Sequence, residues 1–389
     1  MTLELAKAMS RLGTESAFDV LAQAKALEAQ GRKIIHLEIG EPDFATPPHI
    51  VEAAVEALHA GQTHYVPAPG IPGLRESVAA FLERWHRMQV PPDRVVITPG
   101  AKPVMFFVML ALCQAGDEII YPNPAFPMYE SIAAFTGARP VPLPLREENE
   151  FRIDPAELER LITPRTRLLI LNSPHNPCGS ALTKADCEEI AEIAMRHDLT
   201  VLSDEVYWAI RYDGGHASVL DVDGMAERTI LLDGWSKTFA MTGWRLGFGV
   251  LPPAMVEPVT RLIINSVSCT SAFSQHAARA ALEGPWEPVE RMVAEFQARR
   301  DLIVDLLNKI PGVSCQTPHG AFYVFPRVAE IGLSAATLQD RLMNEAGVAV
   351  LPGTAFGRYG EGYLRLSYAN SAENLSAAAA AIDAMVTGM

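Results

Sequence analysis

The chain of 389 residues carries 32 lysines and arginines against 46 aspartates and glutamates, a net charge of −14 with histidines neutral. An acidic chain with no lysine/arginine block is poorly equipped to displace phosphate counterions, which excludes nucleic acid as an expected partner. The 49% apolar and 20% charged fractions are those of a folded protein of about two domains rather than a disordered one.

In chain order, an amphipathic helix is expected near residues 17–30 and a short extended run at 34–37, both packing on the C-terminal part of the molecule. Strands are expected at 95–98, 118–121, 168–171, 200–203 and 229–232, separated by amphipathic segments such as 184–197. This alternation predicts an α/β fold with a mostly parallel central sheet flanked by helices. The longest apolar run, residues 103–113, is about half the roughly 20 residues a membrane helix needs, so no membrane partner is expected. After about residue 285 the pattern changes to a helix over 288–307, short strands at 313–315, 321–325, 348–351 and 363–367, and a terminal helix over 377–385. The expected division is a large domain, 46–285, and a smaller α+β domain, 286–389, joined by an N-terminal arm, 1–45. The N-terminus has no secretory-signal pattern, and the five cysteines are scattered without a CxxC pair. Both predict a cytoplasmic protein with free thiols and no metal site.

Three sheet runs lead to polar residues, Asn172, Asp204 and Lys237, about 32 and 33 residues apart and close to one βαβ repeat. Ligands of open parallel sheets lie beyond the carboxyl ends of the strands, so these residues are expected to converge on one crevice. Lys237 and Arg245 share the segment Gly234-Trp-Ser-Lys-Thr-Phe-Ala-Met-Thr-Gly-Trp-Arg-Leu-Gly247. Repulsion between the two cations, with burial, is expected to lower the lysine from its free value of about 10.4 and ready its amine for imine formation; a solvated surface pair is the plain alternative. Asp204, in Leu202-Ser-Asp-Glu-Val-Tyr207, needs a partner after a buried strand: a cationic ring nitrogen, or the free N–H groups of a helix it caps. Glu205 reads as structural.

The loop Asn172-Ser-Pro-His-Asn-Pro-Cys-Gly179 either turns the chain or presents the Asn176 amide to a phenolate oxygen, to which Tyr207 would also donate. The turn Thr98-Pro-Gly-Ala-Lys102 leads into the apolar helix expected from about Pro103, a setting for an anion such as phosphate. Phe126 follows another strand end, where it stacks on a flat ring or fills core.

Together these segments resemble the class I/II pyridoxal-phosphate-dependent aminotransferases of fold type I, over nearly the whole chain. Further motifs carry the resemblance: Gly40-Glu-Pro-Asp-Phe44, Tyr65 with the Pro-Ala-Pro-Gly-Ile-Pro-Gly-Leu-Arg that follows it, His-Gly-Ala-Phe-Tyr-Val-Phe-Pro at 319–326, Pro352-Gly-Thr-Ala-Phe-Gly357 and Leu364-Arg-Leu-Ser367. The resemblance implies pyridoxal 5'-phosphate as cofactor, bonded to Lys237, which then moves the proton at the substrate α-carbon. It implies Asp204 on the ring nitrogen, Asn176 and Tyr207 on the ring oxygen, and Phe126 stacked on the ring. Gly100, Ala101, Lys102 and Arg245 would cradle the phosphate, and Arg365 would grip the substrate α-carboxylate with help from the backbone of Gly40 and from Asn176. Tyr65 resembles a residue that reaches the neighbouring subunit's phosphate, which implies a homodimer with shared active sites. Four departures stand out. Gly234 replaces a frequent serine, Trp235 is bulky beside the lysine, with Ser236 next to it, and His175 and Cys178 replace the commoner asparagine and threonine.

The expected reaction moves an amino group from an L-amino acid to a 2-oxo acid by a ping-pong mechanism, with a carbon–sulfur β-lyase on the same scaffold as the alternative. A regulator that kept the fold would lack its usual DNA-binding extension. A nicotinamide dehydrogenase is disfavoured because no GxGxxG follows an expected strand. No arginine lies in 265–271, which favours a neutral or aromatic substrate side chain and leaves Lys102 as a binder for an acidic one.

Overall fold

Continuously buried runs build the centre of the computed structural model, which describes residues 3–388. In chain order the strands are β1 (Ile35–His36), β2 (Val95–Thr98), β3 (Glu118–Asn123), β4 (Arg139–Pro144), β5 (Thr166–Asn172), β6 (Thr200–Asp204), β7 (Thr229–Gly234), β8 (Gly247–Val250), β9 (Tyr323–Val324), β10 (Val348–Ala349), β11 (Leu351–Pro352) and β12 (Leu364–Ser367). Seven of them form one sheet in the order β2-β8-β7-β6-β5-β3-β4. Only β8 runs antiparallel to its neighbours, so the expected mostly parallel sheet is found. Alternation along β5 explains its two-sided burial: Leu168 and Ile170 enter one apolar cluster, Leu169 and Leu171 the other. Sheets covered on both faces by helices require this.

Strands β4 and β8 were not expected from the sequence. Each breaks a strand rule: β4 holds Pro140, Pro142 and Pro144, tolerated because it is the sheet edge, and β8 holds two glycines. One of these, Gly247, must be glycine because an added Cβ would lie 2.3 Å from the Ala101 nitrogen.

Around the C-terminal helices Glu287–Leu307 and Ala372–Thr387 a second core collects Phe296, Ile303, Phe322, Leu366 and Leu375. Here the short-strand expectations need correction. Residues 313–315 form no strand, only one bridge from Ser314 to Arg327. The Asn308 side chain satisfies this backbone instead, accepting from the Cys315 N–H at 2.8 Å and donating to its carbonyl at 2.9 Å. The run 321–325 shrinks to β9, and 348–351 divides into β10, which pairs with β1, and β11, which joins the β11-β12-β9 sheet. Among the described residues no helix is long and apolar enough to cross a membrane.

Candidate active site

The carboxyl ends of β5, β6 and β7 open on a cavity of about 580 Å³, a size that holds a small-molecule ligand. Parallel register sets Asn172 directly beside Asp204. The Asn172 amide donates to the Asp204 carbonyl at 3.0 Å, and its oxygen accepts from the Asn176 N–H at 2.9 Å, which fixes the loop carrying Asn176. Beyond β7 the chain makes one helical turn, Trp235–Thr238, and aims Lys237 into the same cavity. Asn176, Asp204, Tyr207, Lys237, Ala101, Lys102, Phe126, Arg245, Gly40 and Arg365 all line it. Gly100 and Tyr65 do not; Tyr65 is 88% exposed.

Asp204 does not cap a helix, since residues 206–209 form a turn. Its carboxylate accepts from the Tyr129 hydroxyl at 2.7 Å and, at 3.4 Å, from the Val206 N–H. Burial pushes its pKa up to about 6 against the pull of these two bonds. Glu205 does not line the cavity: it accepts from Ser203 and Ser218 and is hydrogen-bonded to His216. Lys237 is lowered to about 8, first by burial, with Arg365 and Lys102 adding repulsion and Glu41 opposing. The repelling cations are therefore not the expected Arg245, which donates to the Thr242 carbonyl at 2.8 Å and packs over Gly100.

The facing wall comes from remote segments. Lys237 Nζ donates to the Gly40 carbonyl at 2.5 Å, and Gly40 is required because a Cβ would sit 2.1 Å from the Tyr323 hydroxyl. That hydroxyl shares a 2.8 Å hydrogen bond with Tyr207. Arg365, buried, donates to the Glu38 carbonyl and lies 4.6 Å from the Tyr323 ring centroid. Among the described residues it has no ion-pair partner, and its Nε has no hydrogen-bond partner.

Of these, Tyr129 was not singled out by sequence reasoning; its signal would have been its place three residues after Phe126 at the start of a helix. Tyr323 lay inside a quoted motif without a role. Glu15 and Phe18 line the cavity too, and no local pattern marks them.

The departures resolve sterically. A Cβ on Gly234 would approach the Leu246 carbonyl to 2.9 Å, and Ser236 lines the cavity nearby. Trp235 points into the core, donating to the Ala278 carbonyl at 3.0 Å, so its bulk does not crowd the lysine. His175 is buried with neither ring nitrogen bonded, and burial lowers it to about 3, leaving it neutral. Cys178 is a buried free thiol.

The donor set fits pyridoxal phosphate. Asp204 is a buried acid without a cation bonded to it, and an added Cβ at Gly100 would meet the Arg245 guanidinium at 2.2 Å, so the space beside the turn is held by a cation.

The sequence matches the family described as aminotransferase class I and II over residues 32–382. It is 46% identical over 355 residues to a protein of Thermococcus litoralis named aromatic-amino-acid aminotransferase 2, covering 90% of this chain and 91% of that one. An aspartate aminotransferase of Pyrococcus abyssi is 45% identical over 355 residues, covering 90% and 91%. The crystal structure of an aromatic aminotransferase from Pyrococcus horikoshii OT3 superposes with a TM-score of 0.90 at 42% identity, covering 96% of this chain and 99% of that one.

Proposed function

The chain belongs to the class I and II aminotransferases and catalyses amino acid transamination, and from that premise we propose the residues that carry the reaction. Members of this family generally depend on pyridoxal phosphate, which when bound supplies an aldehyde to receive the amino group and a ring to accept the electrons of the broken Cα–H bond.

Lys237 takes the α-proton and returns it. Its lowered pKa of about 8 leaves a usable fraction of neutral amine near neutral pH. Asp204 would hold the ring nitrogen in its cationic form, and Tyr129 orients Asp204 through the 2.7 Å hydrogen bond. Asn176 and Tyr207 would hold the ring oxygen, Phe126 would cover the ring face, and Arg245 with the turn Gly100, Ala101 and Lys102 would hold the phosphate. Arg365 grips the α-carboxylate as a planar fork, beside Gly40. The observation that carries this assignment is a buried guanidinium without a carboxylate partner sharing one cavity with a buried amine and a buried acid.

The working form is a homodimer in which the exposed Tyr65 reaches the other copy's phosphate, and the enzyme is cytoplasmic. The division into 46–285 and 1–45 plus 286–389 is supported by the pairing of β1 with β10. A panel of amino donors, each offered with pyruvate or 2-oxoglutarate, tests the reading. The expected result is acceptor-dependent formation of the donor's 2-oxo acid. Pyruvate and ammonia released from a cysteine conjugate without an acceptor would instead identify the β-lyase.

A further inference from the structure

Arg365 donates to the Glu38 carbonyl, and the same two residues carry an unmatched donor and an unmatched acceptor. Arg365 Nε and Glu38 Oε2 are both buried, and among the described residues neither has a hydrogen-bond partner. The Glu38 side chain is fully buried and does not line the cavity, whereas Arg365 does. Their charges act on each other: burial lowers the Arg365 pKa, and Glu38 is among the groups that oppose it. What occupies the Glu38 carboxylate is His36. Its Nδ1 lies 2.8 Å from Glu38 Oε1, and its Nε2 lies 3.1 Å from Glu28 Oε1 on the helix Ser16–Ala29. Burial opposes charge on this ring, yet its bonds to the two carboxylates raise its pKa above the ordinary 6.5 and favour its cationic form. The backbone here is fixed on both sides. His36 pairs with Ala349 of β10, and its carbonyl accepts from the Asn370 side chain at 2.9 Å. One residue on, the Leu37 carbonyl accepts at 2.8 Å from the N–H of Ser367, the last residue of the strand that carries Arg365.

We propose that His36 is a positioning residue for Arg365: it holds the Glu38 carboxylate and so keeps the guanidinium fork open for the substrate α-carboxylate. A buried carboxylate stripped of its partner must find another. The unmatched Arg365 Nε is a donor on the very residue that Glu38 already holds through its carbonyl. Paired to that nitrogen, Glu38 would neutralise the fork from within the protein and compete with the substrate. His36 prevents this by supplying the partner itself. The effect falls on substrate capture, because Lys237, the group that moves the proton, is bonded to the Gly40 carbonyl and not to Glu38.

The inference rests on the transamination reading, with Arg365 as the carboxylate fork, and its test separates the two. KM and kcat of the holoenzyme are measured for the best amino donor of the panel. His36→Leu should raise KM about tenfold and leave kcat within about twofold of wild type. His36→Gln, which can still donate to Glu38, should raise KM less. Adding Glu38→Gln to either variant should bring KM to within about twofold of the Glu38→Gln single variant, since a neutral amide cannot neutralise the fork. Glu28→Gln should leave KM within about twofold of wild type, because the bond to Glu38 survives. The dissociation constant of 3-phenylpropionate, a monocarboxylate with no amino group to transfer, reads the fork by calorimetry without turnover and should change in the same order. A KM in His36→Leu within about twofold of wild type, a kcat that falls as far as kcat/KM, or a double variant that keeps the raised KM overturns the proposal. Where the leucine variant does not fold, His36→Gln and its double variant decide in the same way. Failure of the wild-type enzyme to convert any donor would sink the transamination reading instead, and the 3-phenylpropionate series would still test His36.

Discussion

Asn172 and Asp204 end the neighbouring parallel strands β5 and β6 and Lys237 sits on the helical turn that follows β7, whereas Gly40, Tyr323 and Arg365 come from three segments that meet only in the folded molecule. On the sheet side, register fixes position: Asn172 is the ladder partner of Asp204. On the facing side, single contacts stitch the wall together, among them Lys237 to Gly40, Arg365 to Glu38 and Tyr207 to Tyr323. Groups proposed to handle the α-proton and the ring sit on the rigid element or at its strand ends, where small displacements are most harmful. Groups proposed to recognise the amino acid sit on the assembled wall.

Substitution can break this contrast. The largest expected effect is on the sheet side, where Lys237→Ala should lower kcat by on the order of 10³-fold or more while leaving the thermal unfolding profile cooperative. Turnover within tenfold of wild type would remove the lysine from the mechanism. Next is Asp204, whose folded-state pKa of about 6 exceeds its ordinary value of 3.8. The folded, cofactor-free protein therefore keeps this proton where the unfolded chain has lost it. Stability is unpenalised below about pH 4 and is lost as pH rises toward 6, by about 3 kcal/mol for this shift. Asp204→Asn should flatten that fall in denaturant titrations at pH 4 and pH 7, and parallel curves would contradict it.

On the assembled wall, Arg365→Ala should raise the amino donor's KM by about 10²-fold with a smaller change in kcat. Arg365→Lys, which keeps charge but not the fork, should recover only part of the loss. Full recovery would mean the site reads charge alone. The smallest effect sharpens the sheet side again: Tyr129→Phe removes a bond that lowers the Asp204 pKa. It should shift that titration upward and cost about 1–2 kcal/mol of stability near neutral pH. An unshifted titration would leave Tyr129 a packing residue only.

Sequence legibility follows the same division. The five strands of the sheet core announce themselves by local apolar runs, and the residues at their ends follow by spacing. The edge strand with its three prolines and β8 with its two glycines lack that local signal, because what makes them strands is the neighbour they pair with. The segment 313–315 misleads for the opposite reason, since its strand-like residues are satisfied by the Asn308 side chain. Arg365 and Gly40 were found by resemblance to a family rather than by pattern. Nothing near Tyr129 in the chain shows what it touches.

The sequence by itself determined the parallel α/β core, the crevice at its strand ends and the lysine, acid and amide that gather there, because hydrophobic alternation and strand length are local properties. Only the tertiary structure decided that burial, with Arg365 and Lys102 rather than Arg245, sets the lysine's charge, that Tyr129 holds Asp204, and that Glu38 meets Arg365. Those outcomes depend on distances between side chains far apart in the chain, and Coulomb and desolvation energies follow distance and burial, not sequence separation.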